Sequence, residues 1–189
     1  MDPLAKLFGS SARLKLMRLF LFNDADWYSF SGAASRAKVA KDVARREISS
    51  LLLIDLLRKK KGKGGPFFAA NPKFVHYESL RTFLRTSSGV DDASISHTLR
   101  KAGSLRLVAL SGLFTGVSES KVDLLIVGDR LDERTLATII HSLEAELGRE
   151  LRYASFTTED FRYRVGVYDR LVRDVLDYPH RVVIDKIGL

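Results

Sequence analysis

Two runs of cations and one interrupted phosphate-type motif are the features of this sequence whose residue types and spacing could do chemistry. In KDVARREISSLLLIDLL, Lys41, Arg45 and Ser49 recur every four residues, with Arg46 beside them. On a helix that spacing stacks them on one face. Val43, Ile48, Leu51, Leu52 and Leu56 fall on the other. The pattern alone describes an ordinary amphipathic surface helix, and it also suits a helix whose back packs on a core and whose front lies in a major groove, a reading that the basic segment after it favours. Arg45 could reach base edges or phosphates, and the sequence leaves both open. Lys38, in the turn before this helix, adds a further cation. The second run follows at once: RKKKGK holds Arg58, Lys59, Lys60, Lys61 and Lys63, five basic residues in six positions. The interrupted motif is Ser111-Gly112-Leu113-Phe114-Thr115-Gly116, then Ser120-Lys121-Val122-Asp123. A glycine turn between strands can cradle phosphate, and an Asp at the head of a strand can hold a metal.

Other chemistries are poorly provided for. With no cysteine, disulfides, thiolate metal sites and cysteine nucleophiles are excluded, and an intracellular, cytoplasmic home is expected. His76, His97, His141 and His180 are scattered without paired spacing, so no zinc site is expected. No serine nucleophile elbow or Walker-type loop occurs, and no cofactor is called for. The aromatics Tyr153, Phe156, Phe161, Tyr163 and Tyr168 are not interleaved with basic residues. They are expected in the core and at a subunit interface. No apolar run is long enough to cross a bilayer, and the first residues do not resemble a signal peptide.

The charge is divided along the chain. The formal net charge is +8, yet residues 1–75 hold 15 Lys+Arg against 6 Asp+Glu, while residues 76–189 hold 16 against 17. A basic first part and a neutral second part suggest that the first binds a polyanion and the second does something else.

The elements that must position these residues can be read from periodicity. Ser10 is placed to cap a first helix in which Leu14, Met17, Phe20 and Leu21 share a face. NDADW breaks it, and a short second helix is expected over residues 30–37. The cationic helix is expected over 41–57. Residues 58–72 read as strand, Gly64-Gly65-Pro66 turn, strand: a β-hairpin with a cationic tip, or wing. Residues 76–103 read as two helices separated by SSGVDD, a connector or a dimerisation element. Beyond it, strands are expected over 105–112, 121–129, 150–156 and 181–188. A helix capped by Asp132 and ended by Gly148, one begun by Thr157, and one over 167–177 complete an α/β or α+β sandwich.

LFGSSARLKLMRLFLFN, then ARREISSLLLIDLL, then the Lys/Gly wing ending in NP, resemble prokaryotic winged helix–turn–helix transcriptional regulators. Those often open on Phe-Gly-Ser-x-x-Arg-x-x-(Leu/Ile) and carry an Arg-Arg-Glu-(Leu/Ile) recognition helix. The resemblance covers residues 4–75 and implies sequence-dependent binding of double-stranded DNA, usually as a dimer. The second helix departs from the pattern, since SGAASRAKV contains Gly32 and lacks the usual mid-helix acid.

The second part resembles the minimal nucleotidyltransferase domain of the polymerase-β-like superfamily. That resemblance implies a Gly-Ser turn holding nucleotide phosphates and two Asp, one residue apart on a strand, holding Mg²⁺. Here the Gly-Ser order is inverted at Ser111-Gly112, and Lys121 stands where the first Asp should be, leaving Asp123. An ammonium there repels a cation and can pair with Asp123. Glu150 and Glu119 are weaker carboxylate candidates.

The expected fold class is therefore α+β. A winged helix–turn–helix (1–75) is followed by a helical linker (76–103) and a nucleotidyltransferase-like α/β domain that has lost its activity (104–189). The expected function is a sequence-specific DNA-binding transcriptional regulator without metal or cofactor. DNA contacts are assigned to Lys38, Lys41, Arg45, Arg46, Ser49, Lys59, Lys60, Lys61 and Lys63, and a degenerate nucleotide site to Ser111, Gly112, Gly116, Lys121 and Asp123. The expected partners are DNA, a second copy, and a protein docked on the second domain, with no membrane. Two alternatives remain open: a nucleotidyltransferase with a rearranged metal site, and a toxin–antitoxin-type partner protein.

Overall fold

The structure is a computed structural model that describes residues 3–87, 91–115 and 120–188. It is a mixed α+β chain with two separate sheets. By its internal contacts the chain divides into two units. Unit 1 comprises Met1–Val90 and Ser142–Arg149; unit 2 comprises Asp91–His141 and Glu150–Leu189. No helix among the described residues is long and apolar enough to cross a membrane.

Unit 1 begins with α1 (Pro3–Leu7) and α2 (Ser11–Phe22). Ser10 caps α2 by accepting a hydrogen bond from the Arg13 amide at 3.1 Å. Leu14, Leu16, Met17, Leu19, Phe20 and Leu21 are all buried, so α2 is a central helix surrounded by core rather than an amphipathic one. A two-residue strand, β1 (Tyr28–Ser29), runs directly into α3 (Phe30–Arg36), which Ser29 caps. The sequence reading contained no such strand.

Next comes α4 (Lys41–Leu53). It ends four residues before the expected Leu57. Asp55 adopts a left-handed conformation (φ 58°), and the Leu56 amide returns to the Leu51 carbonyl at 3.1 Å. That bond and Asp55 N–H to Leu52 C=O form a Schellman stop. Leu56 and Leu57 then turn into the core as β2 (Leu57–Gly62) begins. β3 (Gly65–Ala70) closes the hairpin, and α5 (Tyr77–Thr86) follows. The three-stranded sheet has the order β1-β3-β2, antiparallel throughout. Its inner face carries Phe68, whose ring meets Phe30 at 4.4 Å.

Segment 142–149 also belongs to unit 1, where the buried Arg18 guanidinium donates to the Glu146 carbonyl at 3.0 Å.

Unit 2 contains α6 (Asp92–Leu99), β4 (Ser104–Leu110), β5 (Leu124–Asp129), β6 (Tyr153–Phe156), α8 (Thr158–Gly166), α9 (Arg170–Leu176) and β7 (Arg181–Asp185). Helix α7 (Glu133–Leu147) is shared between the two units. The sheet order is β6-β5-β4-β7, with β5 and β6 parallel and the other pairs antiparallel. Leu107, Ala109, Leu125 and Val127 alternate along β4 and β5 and cluster with Phe161 of α8 and Val172 and Val175 of α9. Residues 76–103 are thus split: α5 lies in unit 1 and α6 in unit 2.

Candidate functional site

The cations of unit 1 sit on two elements held at a fixed spacing by the core. α4 buries Ala44, Glu47, Ile48 and Leu51, which leaves Lys41, Arg45, Arg46 and Ser49 exposed on its other side. Val43 and Leu52, expected inside, are only half-buried, and Glu47 takes a place in the interior. Its carboxylate accepts from Arg13 Nε at 2.8 Å, while Arg13 Nη1 donates to the Phe8 carbonyl at 3.2 Å. The Arg13–Glu47 pair ties α2 to α4. The available sequence signal was position: Glu47 lies three residues after Ala44 and one before Ile48, on the apolar side of the helix.

A cleft of about 410 Å³ opens beside the cationic side of α4. It is lined by Phe30 and Ser31, by Lys41 and Arg45 of α4, and by Gly64 of the hairpin turn with Gly65 and Pro66 at the start of β3. The Arg45 guanidinium lies 5.5 Å from the Phe30 ring centroid, so its position is steered without an ion pair. Ser49 Oγ donates to the Arg45 carbonyl at 2.9 Å, which leaves the hydroxyl oxygen free to accept. Lys38 is engaged within unit 1, its Nζ donating to Ser142 Oγ at 3.0 Å. Lys38 has a left-handed backbone (φ 48°) in the turn before α4, and its side chain is exposed.

The hairpin sorts its cations by register. Lys59 pairs with Phe68 and Lys60 with Phe67, so Lys59 shares the face of the buried Phe68 while Arg58 and Lys60 lie on the outer face. On that outer face the Trp27 ring has Arg58 Cζ at 5.0 Å and Lys60 Nζ at 4.1 Å. Gly62 is required here: a Cβ would meet the Phe67 ring at 2.6 Å. Lys41, Arg46, Lys59, Lys61 and Lys63 enter no ion pair among the described residues. Sequence reasoning passed over Trp27. It stands in a stretch read as a break, three residues before the expected second helix.

Unit 2 handles its charge in the opposite way. The turn after β4 is a 3₁₀ turn, Gly112–Phe114, and Gly112 has φ 48°. A Cβ there would fall 2.3 Å from Asp123 Oδ1, so glycine is needed for the carboxylate to lie over the turn. Ser111 is buried, and its hydroxyl donates to the Val122 carbonyl instead of facing a ligand. Asp123 Oδ1 accepts from the Leu113 amide at 2.8 Å and from Arg152 Nη2 at 2.9 Å. Oδ2 accepts from the Arg152 amide and from Arg152 Nε, both at 3.0 Å. The Asp123 backbone is held as well, its N–H reaching the Arg152 carbonyl at 2.7 Å. Burial raises the carboxyl pKa, but the hydrogen bonds from the Arg152 side chain and the two amides, with the Arg152 charge, outweigh it and hold it below the usual range.

The expected Lys121–Asp123 pairing is therefore corrected. Lys121 is exposed and lies ahead of β5, which starts only at Leu124; its amide donates to Asp174 Oδ2 at 2.7 Å. Arg152 takes the place beside Asp123 because Arg152 directly precedes β6, the strand parallel to β5. Glu150 is exposed and outside β6. Gly116 and Glu119 lie outside the described residues. Among the described residues, no group of three His, Asp or Glu is placed to hold a metal.

Comparison of the chain with protein-family models, with curated proteins and with solved structures finds no match in any of the three.

Proposed function

We propose that unit 1 is a winged helix that binds double-stranded DNA. On this reading, α4 enters the major groove and the β2–β3 hairpin is a wing on the flanking phosphates. One observation carries the proposal. Lys41 and Arg45 of α4 and the hairpin turn line one cleft, and the adjoining cations Arg46, Lys59, Lys61 and Lys63 have no carboxylate partner among the described residues. Cations left unpaired by their own chain suit an external polyanion. The resemblance of residues 4–75 to winged helix–turn–helix regulators supports the same reading, and transcriptional regulation is the function it implies.

Unit 2 is proposed as a nucleotidyltransferase-like fold that pairs subunits or docks a partner. The occupation of Asp123 by Arg152 supports a role without nucleotide chemistry. Selection of bound duplexes from a random pool at fixed salt tests the whole reading. An enriched palindrome is expected, mirroring a dimer. On the selected site, Arg45→Ala relaxes sequence preference. Lys61→Ala weakens selected and random DNA alike and lowers the salt slope by about 0.9. Equal effects of both variants on both DNAs would sink the assignment of α4 to the groove, and no enrichment would sink sequence-specific binding.

A further inference from the structure

The outer face of the β1-β3-β2 sheet holds an arrangement that neither the cleft nor the core explains. Trp27 immediately precedes β1, at one edge of the sheet, while Arg58 and Lys60 lie on β2, at the other. The central strand separates them. Its residue on the outer face at this level is Ala69, neighbour of the inward Phe68 and itself fully buried. A residue with only a methyl group leaves room for a large ring to lie across the strand. The indole of Trp27 reaches Lys60 Nζ at 4.1 Å and Arg58 Cζ at 5.0 Å.

Two like charges two residues apart on one strand face repel each other and, unpaired, sample many rotamers. A ring face between them attracts both and narrows that sampling. Neither cation has a carboxylate partner among the described residues, so the ring supplies the one directional contact each of them makes. The same two contacts occupy the indole, so it is not an open platform for stacking a base.

We propose that Trp27 is a positioning residue for the hairpin: its indole, lying across Ala69, pre-sets Lys60 and Arg58 as a pair of phosphate contacts. The proposal rests on the DNA-binding reading above. Pre-setting lowers the ordering cost of each contact; without it one of the two phosphate contacts is not made, so affinity falls for any DNA sequence alike and one fewer phosphate is neutralised.

The test is a salt titration of binding to a random-sequence duplex by the full chain. It compares wild type with Trp27→Leu, which keeps an apolar cover over Ala69 without a π face, and Trp27→Phe, which restores one. Trp27→Leu is expected to bind about five-fold more weakly and to lose about one unit of salt slope, with an unchanged melting temperature. Trp27→Phe is expected to recover most of both. In a Lys60→Ala, Arg58→Ala background, Trp27→Leu is expected to change nothing further. An unchanged slope in Trp27→Leu, or an equal loss in that background, overturns the proposal while the DNA-binding reading stands. If wild type itself does not bind the duplex, both fall. Trp27 is the chain's single tryptophan, so its fluorescence reports independently. Emission that does not respond to Lys60→Ala in the free protein also overturns the proposal.

Discussion

The two units treat charge in opposite ways. In unit 1, α4 and the hairpin display cations that enter no ion pair among the described residues, and Glu47, one of the two acids on α4, is drawn inward to Arg13. In unit 2, the one carboxylate with the sequence position of a metal ligand has both oxygens filled by its own chain. Leaving a charge unpaired at the surface keeps it available at little cost, because water solvates it. Leaving a buried carboxylate unpaired costs several kcal/mol, on the order of 2–5, so folding must supply the partner. Availability for a ligand is therefore a property of unit 1's surface, and the interior of unit 2 has used the same kind of group for structure.

The comparison breaks most visibly in DNA binding. Replacing Lys59, Lys60 and Lys61 together by Ala is expected to weaken binding about a hundredfold near physiological salt and to lower the slope by about 2.7. Thermal stability should stay within about 1 kcal/mol, because these side chains are exposed and contribute little to the core. A large stability loss without a change in slope would mean that the cations serve the fold.

The converse variant is Asp123→Ala. It removes four accepted hydrogen bonds from a nearly dry position and leaves the Leu113 and Arg152 amides without their acceptor. Chemical denaturation should report a loss of about 3 kcal/mol. DNA affinity, measured where the variant is still folded, should change less than about twofold, within the scatter of independent sites. A parallel loss of DNA affinity would show that the division of labour is false.

Much of unit 1 was legible in sequence because its signals are local. Ser10 as a cap, the four-residue spacing of Lys41, Arg45 and Ser49, and the glycine signal of a hairpin all act within a few residues, although the turn itself is Lys63-Gly64, and Gly65 and Pro66, expected in it, open β3. What escaped was short or long-range. Strand β1 has two residues, too few for any period to show. The end of α4 was misplaced because its leucines continue past Leu53, and the stop is a left-handed backbone at Asp55, a residue that tolerates it without being glycine. The partner of Asp123 was sought two residues away, at Lys121, when it lies 29 residues on, at Arg152. ELRYASF reads as a third strand without a stated neighbour, and the arginine near its start is the signal that was available. A carboxylate at the head of a buried strand needs a donor from the neighbouring strand. That rule would have named Arg152.

The pH dependence sharpens the same contrast. Asp123's carboxyl is held below its usual range in the folded chain, so the unfolded state takes up protons first as pH falls. The stability this group contributes is fully present above its unfolded pKa of about 3.9 and is lost as pH falls through the lower folded value. Arg152→Met should cost about 2 kcal/mol at neutral pH, discounted because the guanidinium is half-exposed, and the gap to wild type should close below about pH 4. A gap that stays constant into acid would assign the loss to packing of the arginine stem.

The smallest expected effect is the most diagnostic for unit 2. Lys121→Asp restores the carboxylate that the resemblance to nucleotidyltransferases requires, yet Lys121 is exposed and ahead of β5, so stability should move by less than about 0.5 kcal/mol. Adding Mg²⁺ should leave the melting temperature of this variant unchanged, because the oxygens of Asp123 are already committed to Arg152 and two amides. Combining it with Arg152→Ala removes the guanidinium and leaves two carboxylates without a cation between them, the condition under which Mg²⁺ should raise the melting temperature. If Lys121→Asp alone acquires that response, Arg152 yields to a metal, and the closure of the site lies at position 121. If only the double variant does, the guanidinium is what holds it shut.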